Sequence, residues 1–270
     1  MFERLRQSCY SFYCFSGGNL TPTDRCHIWK KSNNWSPPFA MSSSRAWAAS
    51  VLTPTTSHDQ MVVMGGVDQN NVTLDTIEVI DIKTRKSIKI GLTLPTPLAG
   101  HCAVQLNSTH TFVAGGAVTG LAGFFALASF SNKAWFLSER GLTDAGQLAQ
   151  ARSVHSCTTV VSRAGEMEVM VVGGIGLSNV GTRMVLDSVE IYNIGTGKWR
   201  KGQKLPWPVF GAGLLELAGQ PMLIGGRYQD NDQLRQSDSS FMYQNSWSSS
   251  TLTMRNPRDL AVTVAAPSFC

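Results

Sequence analysis

Charge is scarce in this chain. Only 15% of its 270 residues are Asp, Glu, Lys or Arg, well below the usual quarter or so. That scarcity argues against long solvent-facing helices, which need a charged stripe. The net charge of +5 is spread along the chain without a Lys/Arg block, so no nucleic-acid footprint is read and no nucleic-acid partner is expected. Six cysteines are present but no Cys-x-x-Cys pair, which excludes the common zinc arrangements. No two of the five histidines (His27, His58, His101, His110, His155) share metal-ligand spacing, so no metal and no cofactor is expected. Gly-x-Ser-x-Gly, Walker and dinucleotide fingerprints are all missing. The expectation is therefore a non-enzyme.

Nor is there an apolar stretch after the arginines of Met1–Arg6, so no secretory signal is read there. Thr111–Asn132 lacks charge, but Gly115, Gly116, Gly120 and Gly123 with several Ser/Thr make it a poor membrane span, and no membrane partner is expected.

What the chain does have is glycine in pairs. An apolar run ends in Gly-Gly five times, at 17–18, 65–66, 115–116, 173–174 and 225–226, with spacings of 48 to 58 residues. A second apolar run precedes each of the last four pairs: Ala48–Leu52, His101–Leu106, Ser156–Val161 and Gly213–Leu217. After the pair comes a polar loop, then an alternating segment, clearest in Asp75–Asp81 and Asp187–Asn193. Alternation of that kind predicts strands with one buried and one solvated face, and on this reading the recurring Asp/Glu face solvent. A fourth strand is predicted to open with Trp35, Trp135, Trp199 and Trp247, and with Ile88 in the second unit. Links with Pro or Arg lead onward: Pro95–Pro97, Ala151–Arg152, Pro206–Pro208 and Pro257–Arg258. In the third unit Phe124–Phe130 stands where the acidic strand is expected, and a longer link from Trp135 to Ala151 accounts for the spacing of 58.

Each unit thus reads as four antiparallel strands. One such sheet cannot bury both faces, but sheets stacked around an axis can, and closing the circle removes open edges. Less than about one-tenth helix is expected, against the usual globular third.

The order Arg-x-x-His, apolar strand, Gly-Gly, Asp-x-Val-Glu-Ile-Tyr, Gly-x-Trp, Leu-Pro resembles the kelch repeat, best at Arg152, His155, Gly173, Gly174, Glu190, Tyr192, Trp199, Leu205 and Pro206. Leu98 and Val209 depart from it, standing where arginine is expected. The resemblance implies an all-β, kelch-type β-propeller of about five four-stranded antiparallel blades, a single domain over 1–270. The segment 258–266 would complete the first blade, with Leu260–Ala265 pairing against Ser8–Phe15. A truncated six-bladed protein is the rival reading.

The resemblance also implies a non-catalytic module that binds a protein partner, and as a fragment a monomer. A galactose-oxidase-like or carbohydrate-binding propeller, with a site in the central channel, is the alternative. Loops after each Gly-Gly and links before each first strand should gather at one end. The candidate partner-binding residues there are Arg45, Trp47, Asp68, Asn70, Arg152, Trp207, Phe210, Arg227, Tyr228, Arg255 and Arg258. Their arginines point to a partner with an acidic segment.

His101 and His155 occupy equivalent repeat positions and read as structural. Cys14 with Cys26, and Cys9 with Cys270, are candidate disulfides; Cys102 and Cys157 read as small buried apolar residues. Asn-x-Ser/Thr occurs at Asn19, Asn34, Asn71 and Asn107. With the even cysteine count it leans towards an extracellular setting, cytoplasmic being the alternative.

Overall fold

The computed structural model describes residues 10–14, 22–30, 34–35, 37–54, 59–118, 129–217, 219–230 and 233–257. Among them there is no helix, and no membrane-spanning helix. Five four-stranded antiparallel sheets follow one another along the chain. The second contains Ala49–Pro54, Asp59–Met64, Thr76–Asp81 and Lys86–Thr93. The third contains Cys102–Gln105, Thr111–Ala114, Lys133–Ser138 and Gly141–Gln147. The fourth contains Ser156–Val161, Met167–Val172, Val189–Asn193 and Lys198–Lys201. The fifth contains Gly213–Leu217, Gln220–Ile224, Ser240–Tyr243 and Trp247–Ser249.

The first sheet begins at what is a second strand elsewhere. Tyr10–Cys14 pairs with Thr23–Lys30, and Asn34–Trp35 and Phe39–Arg45 both pair with that same strand. The proposed closing strand and its partners Ser8, Cys9 and Phe15 lie outside the described residues.

First strands stack on first strands: Ala49–Pro54 on Cys102–Gln105, that on Ser156–Val161, and that on Gly213–Leu217. Between them lie separate apolar layers. One joins Val172, Val189 and Ile191 of the fourth sheet to Leu214, Leu223 and Phe241 of the fifth. Another joins Phe112 of the third to Val169 and Tyr192 of the fourth. This repeated face-to-face packing about a common inner edge is propeller-like.

Three expectations need correction. Trp135 lies in the third strand of its sheet, opposite Val113, and does not open the fourth. The extra residues of that unit therefore fall between Gly116 and Lys133, not in a long link, and Lys133–Ser138 is the strand paired with Thr111–Ala114; of Phe124–Phe130 only the last two residues are among the described ones, and Phe130 bridges to Ala117. Hydrophobicity alone could not separate two apolar segments competing for one position. The glutamates of the third strands are not solvated: Glu78 is 0% exposed and Glu190 4%. A sheet covered on both faces has no wet side, so its polar groups must find partners. Cys26 stands opposite Cys14, as expected, in the register that Val79 and Ile191 hold in the second and fourth sheets.

Candidate functional site

The Gly-Gly pairs build one end of the molecule. Both glycines of the second to fifth pairs for which a conformation is described turn left-handed; Gly173 and Gly174 have φ 60° and 99°. A Cβ on Gly173 would lie 2.3 Å from the carbonyl oxygen of Val209, in the next sheet's link, so backbone passes where any side chain would stand. The second glycine then ties sheet to sheet. Gly66 N–H donates to Leu98 O, Gly116 to Arg152 O and Gly174 to Val209 O, each at 2.8 Å.

Immediately after the pair, Val67, Ala117, Ile175 and Arg227 bridge to Ala46, Ala99, Ser153 and Phe210 of the links. Loop and link thus share one end, as their strand directions require. One residue further on, Trp47, Gly100, Val154 and Gly211 all sit left-handed, with φ between 55° and 63°. They join in series: Gly100 N–H donates to Trp47 O, Val154 to Gly100 O and Gly211 to Val154 O, at 2.7–2.9 Å. Left-handed Trp and Val are strained, and here consecutive hydrogen bonds around the inner edge hold them.

Beneath this end lie two buried ion pairs. The Arg45 guanidinium reaches Glu78 and also donates to the carbonyls of Gly65 and Thr76. Arg152 reaches Glu190 at 2.7 Å and donates to Gly173 O and Ser188 O. Each glutamate also accepts hydrogen bonds from the preceding sheet or its link: Glu78 from Ser42 N–H, Glu190 from Ala149 N–H and Gln150 N–H. Burial raises the Glu78 carboxyl, but hydrogen bonds from Ser87 and Ser42 and the Arg45 charge outweigh it and hold it below its ordinary value. Arg45 and Arg152 are 0% exposed and Phe210 1%. These three candidates offer no surface to a partner; their charge or bulk is consumed inside, because the stacked sheets cover both faces.

The remaining candidates divide. Trp47, Asp68, Arg227 and Tyr228 are half-buried; Asn70, Trp207 and Arg255 are exposed. Asp68 Oδ1 accepts from the N–H groups of Asn70 and Val72 and so shapes its own loop. The Trp207 ring packs 4.6 Å from Phe241 and 6.1 Å from Tyr228, centroid to centroid. Arg258 lies outside the described residues.

Sequence reading missed two hairpins at this end. Ile175–Leu177 pairs with Arg183–Val185, and Arg227–Asp230 pairs with Gln233–Gln236 while also pairing with Val209–Phe210. They project Leu177, Val180, Met184 and Leu234 into solvent, Val180 being 84% exposed. Their short alternating runs, Ile-Gly-Leu and Arg-Met-Val, were the available signal.

The inner strands hold a further unforeseen feature, a disulfide between Cys102 and Cys157 with Cα atoms 5.9 Å apart. It staples the third sheet to the fourth. The reading of these two as free apolar cysteines is corrected: each looks apolar locally, and only the stacking of first strands brings them together. Cys26 is also disulfide-bonded; the side chains of Cys9, Cys14 and Cys270 lie outside the described residues.

His101 and His155, just before the two first strands, are buried. Burial pushes His101 down to about 4. Burial, then the Arg152 and His101 charges, push His155 well below its ordinary value, against a 3.1 Å contact with Ala114 O. Both are neutral near pH 7. Among the described residues no group of three His, Cys, Asp or Glu could hold a metal ion.

A cleft of about 750 Å³ opens between the fourth and fifth sheets at the other end, lined by Val160, Glu168, Arg200, Gln220 and Tyr243 among others. The Glu168–Arg200 pair, at 2.6 Å, is part of that lining.

No protein-family model matches the chain, and no curated protein matches it. A solved structure described as "Structure of YjhT" is similar in fold, with a TM-score of 0.74 and 15% sequence identity, covering 95% of this chain and 84% of that chain. At that identity the likeness speaks for the fold alone.

Proposed function

We propose that this chain is a kelch-type propeller of five blades and works as a non-catalytic interaction module, binding a protein partner through its Gly-Gly end. The observation that carries the reading is the pair of neighbouring hairpins. They present Leu177, Val180, Met184 and Leu234 to solvent, with Arg227 and Arg255 at the same end. Exposed apolar groups rimmed by arginine have the composition of a binding hot spot, and hairpins held on a rigid frame fit the usual placement of recognition loops. The arginines favour a partner segment that is acidic with apolar anchors. The buried arginines and glutamates, by contrast, are already spent on sheet-to-sheet contacts.

The test compares partner capture by the wild type with capture by Val180→Asp/Met184→Asp and by Arg227→Glu/Arg255→Glu. Capture is expected to fall at least tenfold, which corresponds to about 1.4 kcal/mol. Unchanged capture, with loss on altering Arg163 and Arg200 at the other end instead, would assign binding to the cleft between the fourth and fifth sheets.

A further inference from the structure

The four Asn-x-Ser/Thr motifs all match one sequence pattern, but the structure separates them. Asn19 and the side chain of Asn34 lie outside the described residues. Asn71 is exposed and left-handed, φ 61°, yet the hydroxyl oxygen of its Thr73 is buried with no partner among the described residues. Asn107 is exposed too, but the hydroxyl of its motif is engaged. It sits in the exposed turn between Cys102–Gln105 and Thr111–Ala114. Its Oδ1 accepts from Thr109 N–H, His110 N–H and the Thr109 hydroxyl, each at 2.9 Å. Backbone N–H groups can only donate, so the atom facing them is the oxygen. The amide nitrogen, Nδ2, makes no hydrogen bond among the described residues. The hydroxyl that the motif requires therefore polarises the amide at its oxygen, while the nitrogen to be modified stands free at the surface. The His110 ring Nδ1 lies 2.8 Å from the same hydroxyl.

A second, independent observation concerns the compartment. Asn107 lies five residues beyond Cys102, whose bond to Cys157 forms in oxidising surroundings such as the secretory route, where Asn-x-Thr acceptors are used.

We propose that Asn107 carries an N-linked glycan. The bond formed joins Nδ2 to the anomeric carbon of a sugar donated from an activated lipid-linked saccharide. The lipid pyrophosphate leaves, and the proton lost from Nδ2 passes to solvent. No redox change occurs. The first-to-second strand turn that holds Asn107 lies at the end of the strands away from Gly115-Gly116, so the glycan shields that end and leaves the hairpin end bare.

The experiment expresses the chain through the secretory pathway of an animal cell, with the Cys102–Cys157 bond confirmed by non-reducing peptide mapping. An amidase that releases N-glycans is applied in isotope-labelled water, which turns a glycosylated Asn107 into a labelled aspartate. The expected result is label on Asn107 in most molecules, loss of one glycan in Asn107→Gln and in Thr109→Ala, and its retention in Thr109→Ser. Because three variants are read, failure of one to fold does not remove the test. Unlabelled Asn107 in secreted, disulfide-bonded protein would overturn the proposal, as would label on Asn71 alone.

Discussion

The second and fourth sheets solve one structural problem with charge, and the third and fifth solve it with hydrocarbon. In the charged sheets an arginine from the link, Arg45 or Arg152, reaches a glutamate on the third strand, Glu78 or Glu190. Those glutamates stand opposite Val63 and Val171. In the other two sheets the link position holds Leu98 or Val209. The residues opposite the corresponding Val113 and Leu223 are Trp135 and Phe241. Arginine and glutamate are thus present together or replaced together, by residues that share an apolar layer. The difference teaches that the fold needs this position filled and satisfied, not that it needs an ion pair; a buried pair and a well-packed apolar pair can be near equal in stability.

The sharpest way to break that comparison is to remove half of a pair. Arg152→Leu should destabilise the protein by about 4 kcal/mol in chemical denaturation, since Glu190 is left buried and charged. Arg152→Leu with Glu190→Trp, copying the third sheet, should recover more than half of the loss. A double variant as unstable as the sum of its parts would show that the carbonyls of Gly173 and Ser188 cannot do without the guanidinium.

The seam between the third and fourth sheets is where the disulfide lies. Replacing Cys102 and Cys157 with Ser should cost about 4 kcal/mol, given the 55-residue separation. An unchanged transition midpoint, with and without reductant, would mean that packing alone holds this seam.

The same seam carries His101 and His155, where the second and fifth sheets have Ala48 and Ala212. His101 has a folded-state value of about 4 against 6.5, so the unfolded chain takes up its proton first as pH falls. The His101 contribution should therefore drop between pH 6.5 and about 4 and level off below, while His155, also held below its ordinary value, adds a fall of the same sign. The contribution is up to about 3 kcal/mol by the usual conversion of pKa shift to free energy. His101→Ala should make that part of the profile shallower, and a slope that persists unchanged would assign it to His155 and the carboxylates instead.

The smallest effect belongs to the exposed pair of the fourth sheet. Lys204 meets Asp187 at 2.9 Å with 70% of its side chain exposed. Lys204→Ala should change stability by less than about 0.5 kcal/mol; a loss near that of Arg152→Leu would undo the distinction between covered and open charge.

The sequence by itself determined the repeat. Glycine pairs, apolar runs and polar turns act within a few residues of one another, so their period could be read directly, and all four predicted first strands begin within one residue of the structure or coincide with it. It also placed loop and link at one end, because antiparallel strands must alternate direction. Trp135 escaped because an apolar segment in the third unit was as plausible a strand as the true one. The candidate site was legible only as an end of the molecule, not residue by residue. Arg45 and Arg152 read as surface arginines until the sheets were stacked. Whether a charge faces water or a partner depends on what covers its sheet, and the covering comes from the neighbouring unit, 36 residues away in Ser42 to Glu78 and 41 in Ala149 to Glu190. The Cys102–Cys157 bond, spanning 55 residues, is of the same kind. Short-range patterns fix which backbone segments extend and turn; tertiary structure decides which of their side chains lose water, because burial is a property of the assembled stack.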